Sequence, residues 1–250
     1  MDNNSYQQYM QETDDWLKTA RARLLHQLIE HHALSGRKLE LLEVGAGAGQ
    51  NLPFLLQFGS VDAIEVNPIG REAIAARAIV RDLFSDPVPF RLNRRYDVIC
   101  ALDVIEHLHD DKAAVQWIVD HLKPGGLVIL TVPAYGWLFS DHDRALGHYR
   151  RYTRKQLVAL LPPTMQLLTA AYFTHFAFPL AVAARTAWSV RRMLLKGSTP
   201  SKQRSPRSGP IAWLLGGMQA AELSLIGKGY RPPFGLSAYV AARATDVAIP

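Results

Sequence analysis

The sequence predicts a doubly wound α/β domain: a parallel sheet covered by helices on both faces, with a helical cap ahead of it and a helical insertion before its last strand. Three observations lead there. Short apolar runs recur at helix-length intervals, LELLEV from Leu39, VDAIEV from Val61, YDVICAL from Tyr96 and GLVILTV from Gly126, and runs of this kind are strands buried on both faces. A glycine cluster, Gly45, Gly47 and Gly49, follows the first run directly, and a glycine turn between a buried strand and a helix punctuates nucleotide-binding α/β folds. The chain has 250 residues, 48% of them hydrophobic and 20% charged, which suits one such domain whose core needs no disulfide or metal staple. Cys100 is the single cysteine, so disulfide scaffolds and paired-cysteine zinc or redox sites are excluded.

Ahead of the first run, Met10, Trp16, Ala20, Leu24, Leu28 and Ala33 fall at roughly helical spacing between Tyr6 and Leu34, which predicts one or two helices packed on the body. The N-terminal MDNNSYQQYMQETDD is polar and acidic, without the basic segment and apolar run of a secretory signal, and the expected location is cytoplasmic. After the second run, VRDLF supplies a short strand candidate closed by Asp82. Beyond Val132 comes a polar stretch rich in aromatics and histidines, then a helix from about Thr153 to Leu161 and two further strands, Met165 to Tyr172 and Ser237 to Ala244. The stretch from Gln156 to Ala184 holds no Asp, Glu, Lys or Arg, but Pro162, Pro163 and Pro179 break it. It therefore reads as a turn, a strand and a helix start, not as a membrane span.

Between the last two strands lies the insertion. On a helical wheel Arg185, Ser189, Arg192 and Lys196 fall opposite Phe176, Leu180, Ala183, Ala187, Val190 and Leu194, an amphipathic pattern. A Ser-, Pro- and Lys/Arg-rich linker runs from Gly197 to Pro210, and a second helix, IAWLLGGMQAAELSLIG, is apolar almost all round and stops at Gly227 and Gly229. The expected organisation is a helical cap over 1–36, a ligand-binding body over 37–172, a helical insertion over 173–234 carrying a mobile linker at 197–210, and the last strand and C-terminus over 235–250.

The glycine loop is the first chemical signal, because glycines there let backbone approach a ligand and supply free N–H groups. Its spacing is G-x-G-x-G with Gln50 following, where a dinucleotide fingerprint requires G-x-G-x-x-G, so a nicotinamide dehydrogenase is disfavoured. Glu65 ends the second run twenty residues after Gly45; an acidic side chain there accepts hydrogen bonds from two ribose hydroxyls and favours a free ribose over a 2'-phosphate. Asp82 is a candidate acceptor for an adenine amino group, with a solvated turn carboxylate as the alternative.

EVGAGAG, the acidic residue in AIEVN, YDVICALDVIEHLHD and HLKPGGLVILTVP, in that order and at ordinary spacing, resemble the class I S-adenosylmethionine-dependent methyltransferases. DDWLKTARARLL, PAYGWLFSDHDRALGHYRRYT, FAFPLAVAAR and PPFGLSAYVAAR extend the likeness over nearly the whole chain, toward a bacterial subgroup related to ubiquinone-pathway and similar small-molecule methyltransferases. The resemblance implies a Rossmann-like, seven-stranded, mostly parallel sheet with its last strand antiparallel, and S-adenosylmethionine, leaving as S-adenosylhomocysteine, across the ends of the first strands. It places Glu43, Gly45, Gly47 and Gly49 beside the methionine part, Glu65 on the ribose, Asp82 on the adenine and Asp103 at the cofactor's amino end. DVIEHL also resembles the acidic-x-x-Glu-His pattern that binds a divalent ion in some ubiquinone-pathway O-methyltransferases, through Asp103, Glu106 and His107. The shorter Asp stands at its first position here, and Glu-His at this place in the wider family serves packing and the cofactor pocket, so no metal is assigned.

Methyl transfer is an in-line displacement at an activated carbon, so alignment carries much of the rate, and a base is needed only where the acceptor must lose a proton. Candidates stand just beyond the fifth strand: Tyr135, Asp141, His142, His148 and Tyr149. His142, His148 and Tyr149 are the expected catalytic residues, His142 slightly preferred, because a histidine titrates near neutrality; the alternative is a hydrogen-bonded surface loop whose histidines orient backbone. The expected function is methyl transfer to a small or amphipathic, lipid-linked included, hydroxyl or amine acceptor, with a catalytically inactive S-adenosylmethionine-binding sensor or assembly protein as the alternative. The formal charge of +6 and the basic-flanked insertion also suit peripheral contact with an anionic membrane. Arg91, Arg94, Arg95 and GHYRRYT make no strong basic stripe, so nucleic acid is a disfavoured partner. The sequence leaves the oligomeric state open.

Overall fold

The computed structural model describes residues 16–32, 36–183 and 209–245. Seven strands form one sheet: β1 (Leu39–Val44), β2 (Gly59–Ile64), β3 (Leu83–Phe84), β4 (Tyr96–Leu102), β5 (Leu122–Pro133), β6 (Met165–Phe173) and β7 (Ser237–Ala244), in the order β3-β2-β1-β4-β5-β7-β6. The pairs from β3 through β5 are parallel, and β7 runs antiparallel to both of its neighbours. The chain order reverses between β1 and β4, and in open α/β sheets the ligand crevice opens at the carboxyl ends of the strands at that point.

The helices are α1 (Trp16–His32), α2 (Leu52–Leu55), α3 (Pro68–Ala75), α4 (Asp111–Asp120), α5 (Asp141–Leu146), α6 (Arg154–Val158) and α7 (Pro210–Gly227). Their starts are written locally. Asn67, Asp110 and Thr153 accept backbone N–H bonds at the N-termini of α3, α4 and α6, and Pro68 occupies a first-turn position where its missing N–H costs nothing. Alternation along the strands then sorts side chains to two cores. Leu41, Val98, Cys100, Ile129, Ala171 and Tyr239 pack against Leu24, Leu25, Leu28 and Ile29 of α1 and Leu223 and Ile226 of α7. On the opposite face Leu42, Ile99, Val128, Leu130 and Val240 pack against Val115 and Ile118 of α4 and Leu157 of α6.

The sequence expectations hold for β1, β4, β6 and β7, with β6 one residue longer, and for α6 in shortened form. β2 begins and ends two residues earlier than the VDAIEV run, which frees Glu65 from the ladder. Asp82 does not close its strand: it precedes β3, and its carboxylate lies 2.6 Å from Arg94 Nη1. Arg94 is drawn there by fully buried Asp62, which also accepts hydrogen bonds from Arg81 and the Tyr96 hydroxyl; a buried carboxylate needs such partners. Arg94 is thereby committed to the fold, as is Arg95, whose guanidinium donates to the Leu122 carbonyl. The residues expected to form the amphipathic helix past 183, and all of the linker except Gly209 and Pro210, lie outside the described residues, as does the cap before residue 16.

Candidate functional site

Backbone strain concentrates at the carboxyl edge of the sheet. Four described non-glycine residues have left-handed backbone, and three of them, Asp103, Tyr135 and Thr174, follow the ends of β4, β5 and β6 at φ of 55°, 60° and 64°. Such conformations persist only where surrounding structure imposes them, and they cluster at ligand sites.

The glycine loop from Gly45 to Gly49 leaves β1 at this edge. Gly45 has φ +71°, and a Cβ there would stand 2.5 Å from Val104 Cγ2, so the loop passes too close to the β4 connection for a larger residue. Four of its five N–H groups are not free, contrary to expectation. Those of Gly45 and Ala46 donate to the Ile64 carbonyl, that of Gly49 to Ala46, and that of Gly47 to Glu65 Oε2 at 2.6 Å. The other Glu65 oxygen accepts from Asn67 N at 2.7 Å. The loop thus folds back on the end of β2 and offers a close-fitting wall in place of a cradle of phosphate donors.

Three more carboxyl groups gather along this edge. Glu43 is 1% exposed, accepts a 2.6 Å hydrogen bond from Asn51 Nδ2 through one oxygen and leaves the other buried without a hydrogen-bond partner. Burial, reinforced by nearby Glu65, pushes its carboxyl up to about 8 against the pull of Asn51. Asp103 accepts from the Thr131 hydroxyl at 2.9 Å and forms a 2.9 Å ion pair with Arg21 of α1. Sequence reasoning missed Arg21; its only signal was a cation on the cap helix. Fully buried Glu106 has neither carboxyl oxygen hydrogen-bonded, and burial beside Asp103 holds its carboxyl well above the ordinary range.

The histidine-rich stretch sorts itself by placement. α5 starts in a capping box in which Asp143 Oδ2 accepts from both the backbone and the hydroxyl of Ser140. Gly147, left-handed at φ 78°, ends the helix and turns the chain so that His148 Nδ1 lies 3.0 Å from Asp143 Oδ1. Arg151 donates to the same oxygen at 2.7 Å, and these bonds hold the Asp143 carboxyl well below the usual range despite burial. An ionised acceptor at Nδ1 puts the proton there, leaving the lone pair on Nε2, which points inward 4.0 Å from Glu106 Oε1. The His148 ring meets His107 edge to face at 4.5 Å between centroids, and burial pulls His107 down to about 4. By contrast His142 is exposed on α5, and Tyr149 is 57% exposed with Arg150 over its ring. Of the three expected catalytic side chains, His148 is the one that joins Glu106 and His107, while His142 and Tyr149 stand exposed.

Ligand atoms of Glu106, His107 and His148 lie within 4.8 Å of one another. That group could hold a divalent ion with Asp143 orienting His148 from behind, whereas Asp103 is engaged by Arg21 and Thr131 and lies outside the group. Farther along the edge, Tyr135 stacks on Tyr172 at 5.0 Å and neighbours Trp137 and Phe178, and Phe178 meets Phe234 at 5.4 Å. Trp137 is 65% exposed, so this aromatic wall opens to solvent.

A family model described as a methyltransferase domain matches residues 10–174. Among curated proteins, the ubiquinone biosynthesis O-methyltransferase of Rickettsia canadensis (strain McKiel) is 33% identical over 100 residues, 38% of this chain and 42% of the relative; the chain spans less than half of that relative's length. Among solved structures, the N-methyltransferase NodS from Bradyrhizobium japonicum WM9 aligns with a TM-score of 0.52 at 14% identity, covering 98% of this chain and 99% of that one. The plantazolicin methyltransferase BpumL in complex with SAH aligns with a TM-score of 0.59 at 11% identity, covering 96% and 89%. At these identities the structural likenesses show the fold.

Proposed function

This chain belongs to the methyltransferase-domain family, and we propose that it uses S-adenosylmethionine to methylate a hydroxyl or amine on a small or lipid-like acceptor. One observation carries the choice of cofactor. The N–H groups of Gly45, Ala46, Gly47 and Gly49 are consumed within the fold, and the carboxylates of Glu65 and Asp103 stand at the same edge. A pyrophosphate needs free N–H donors and would meet these carboxylates, whereas a phosphate-free nucleoside bearing a sulfonium cation needs no such donors and suits the carboxylates. When bound, S-adenosylmethionine supplies a methyl carbon whose bond to sulfur breaks as the acceptor lone pair bonds to it, the electron pair staying on sulfur as the thioether.

The chain's own residues bind, align and take up a proton. Glu65 faces the ribose hydroxyls, and Asp103 and Arg21, opposite charges 2.9 Å apart, suit the ammonium and carboxylate of an amino-acid end. Asp82 is not given the adenine, because its carboxylate is engaged by Arg94. His148 accepts the acceptor's proton at Nε2, with Asp143 fixing its tautomer, while Tyr135, Trp137, Tyr172 and Phe178 offer flat apolar surface to the acceptor body.

Calorimetric titration with S-adenosylmethionine, S-adenosylhomocysteine and NAD tests the reading. Both adenosyl ligands bind and NAD does not; Glu65→Ala weakens them by about tenfold or more, and Glu65→Gln by less because one acceptor oxygen survives. NAD binding in their place overturns it.

A further inference from the structure

One cation at the ligand edge of the sheet has no acceptor. The guanidinium groups of Arg23, Arg91 and Arg154 make no hydrogen bond or ion pair with another described residue; Arg23 and Arg91 are exposed, where water solvates them, but Arg154 is half-buried. Neighbouring arginines are committed, Arg21 to Asp103, Arg150 to Asp111 and Arg151 to Asp143. Arg154 opens α6, and its backbone N–H donates at 3.1 Å to the hydroxyl of Tyr172, near the end of β6. Tyr172 lies nearly face to face with Tyr135, at 18° between ring planes, and Trp137, tilted 32° to Tyr135 at 5.7 Å, carries the row out to solvent. The Arg154 charge reaches the Tyr135 hydroxyl, favouring its ionised form against burial. This row is tied to the support of His148. Arg151 donates from Nε to Asp143 Oδ1 and from Nη1 to the Ala134 carbonyl at 3.2 Å, so one guanidinium joins the residue that orients His148 to the residue before Tyr135. The acidic side chains of the same stretch already face cations, Asp141 with Arg144 and Asp143 with Arg151.

We propose that Trp137, Tyr135 and Arg154 form the acceptor subsite and that it takes an aromatic hydroxy acid: a flat ring system laid on the tyrosine and tryptophan faces, its carboxylate on the Arg154 guanidinium and its hydroxyl toward His148. Aromatic faces reward a flat ring over a puckered one through offset or edge-on packing. The planar fork of a guanidinium pairs a carboxylate through two parallel N–H bonds, and one uncommitted cation balances a single negative charge and not the two of a phosphate monoester. An amine acceptor would bring a second positive charge to Arg154, so the attacked group is the hydroxyl, whose proton passes to His148 Nε2. The assignment rests on the methyltransferase reading and narrows it.

Calorimetric titration of the full chain, with and without saturating S-adenosylhomocysteine, decides the matter with four probes: 6-hydroxy-2-naphthoate, 2-naphthol, 6-aminomethyl-2-naphthol and the saturated 6-hydroxydecalin-2-carboxylate. The hydroxynaphthoate binds about tenfold or more tightly than each of the others. Arg154→Gln brings it to within about twofold of 2-naphthol and leaves S-adenosylhomocysteine affinity unchanged, whereas Trp137→Ala weakens the naphthoate and the naphthol alike. Equal binding of naphthoate and naphthol, tighter binding of the amine, equal binding of the saturated acid, or a preference that survives Arg154→Gln overturns the proposal. If S-adenosylhomocysteine fails to bind while the Arg154-dependent preference persists, the methyltransferase reading falls and the subsite stands; S-adenosylhomocysteine binding without that preference does the reverse.

Discussion

At the scale of single residues, the base turns on a contact that spacing does not show. SDHD is a readable capping signal, Ser140 followed by Asp143 three residues on. That Asp143 also binds His148 depends on the left-handed turn at Gly147, and nothing in SDHDRALGHYRRYT distinguishes His142 from His148 without it. If His148 takes the acceptor's proton, His148→Asn should lower kcat on a hydroxyl acceptor by about two to four orders of magnitude while leaving cofactor affinity within about twofold. Asp143→Asn should cost less, since it keeps the ring in place and loses the charge that fixes the tautomer, and the double variant should be little worse than His148→Asn. Single-turnover kinetics with the acceptor in excess checks this, and additive losses would mean the two side chains act separately.

At the scale of elements, what repeats was legible and what reaches across was not. β1, β4 and most of β5 are legible from their apolar runs because burial on both faces leaves an unbroken signature. β3, two residues long, has too little pattern to announce its ends, which is why Asp82 was set at the wrong end of it. The glycine loop was recognised, but its occupied N–H groups depend on where β2 stops. α7 read as an apolar helix; that it buries a carboxyl was hidden, because Glu222 in AELSL looks like any surface glutamate. Its carboxylate binds the His175 N–H through both oxygens, and neighbouring backbone groups at Thr174 and Phe176 oppose the upward push of burial. Glu222→Ala should therefore cost about 2–4 kcal/mol in urea unfolding, because it strands buried donors at a strained turn. It should also raise amide exchange across residues 174–178. Glu222→Gln should retain part of the stability, and equal losses in the two variants would assign the effect to the lost charge, since glutamine keeps the volume and one acceptor oxygen.

For the whole molecule, the carboxyl groups that mark the site also set how stability depends on pH. Glu43, pushed up to about 8 by burial, keeps its proton in the folded chain while an unfolded chain has released it above the ordinary value of 4.5. Its contribution is complete below 4.5 and is lost as pH rises toward 8, at about 1.4 kcal/mol per pH unit. Glu106, raised by burial, works in the same direction. His107, pulled down to about 4 from 6.5, works the other way: the unfolded chain gains a proton as pH falls below 6.5, the folded chain waits until about 4, and stability is lost across that interval. Between 4.5 and 6.5 the histidine offsets one of the two buried glutamic acids, so stability falls with rising pH more gently there than above 6.5. Above 6.5 the histidine has nothing further to contribute, and the buried glutamic acids dominate. The ligand-free protein should then lose about 2 kcal/mol from Glu43 alone between pH 6.5 and 8. Glu43→Gln, neutral at every pH and of the same shape, should match wild type near pH 5 and exceed it near pH 8. Urea unfolding across this range distinguishes the cases; a wild-type profile that rises toward pH 8, or a variant with the same slope, would show that Glu43 is ionised in the folded chain.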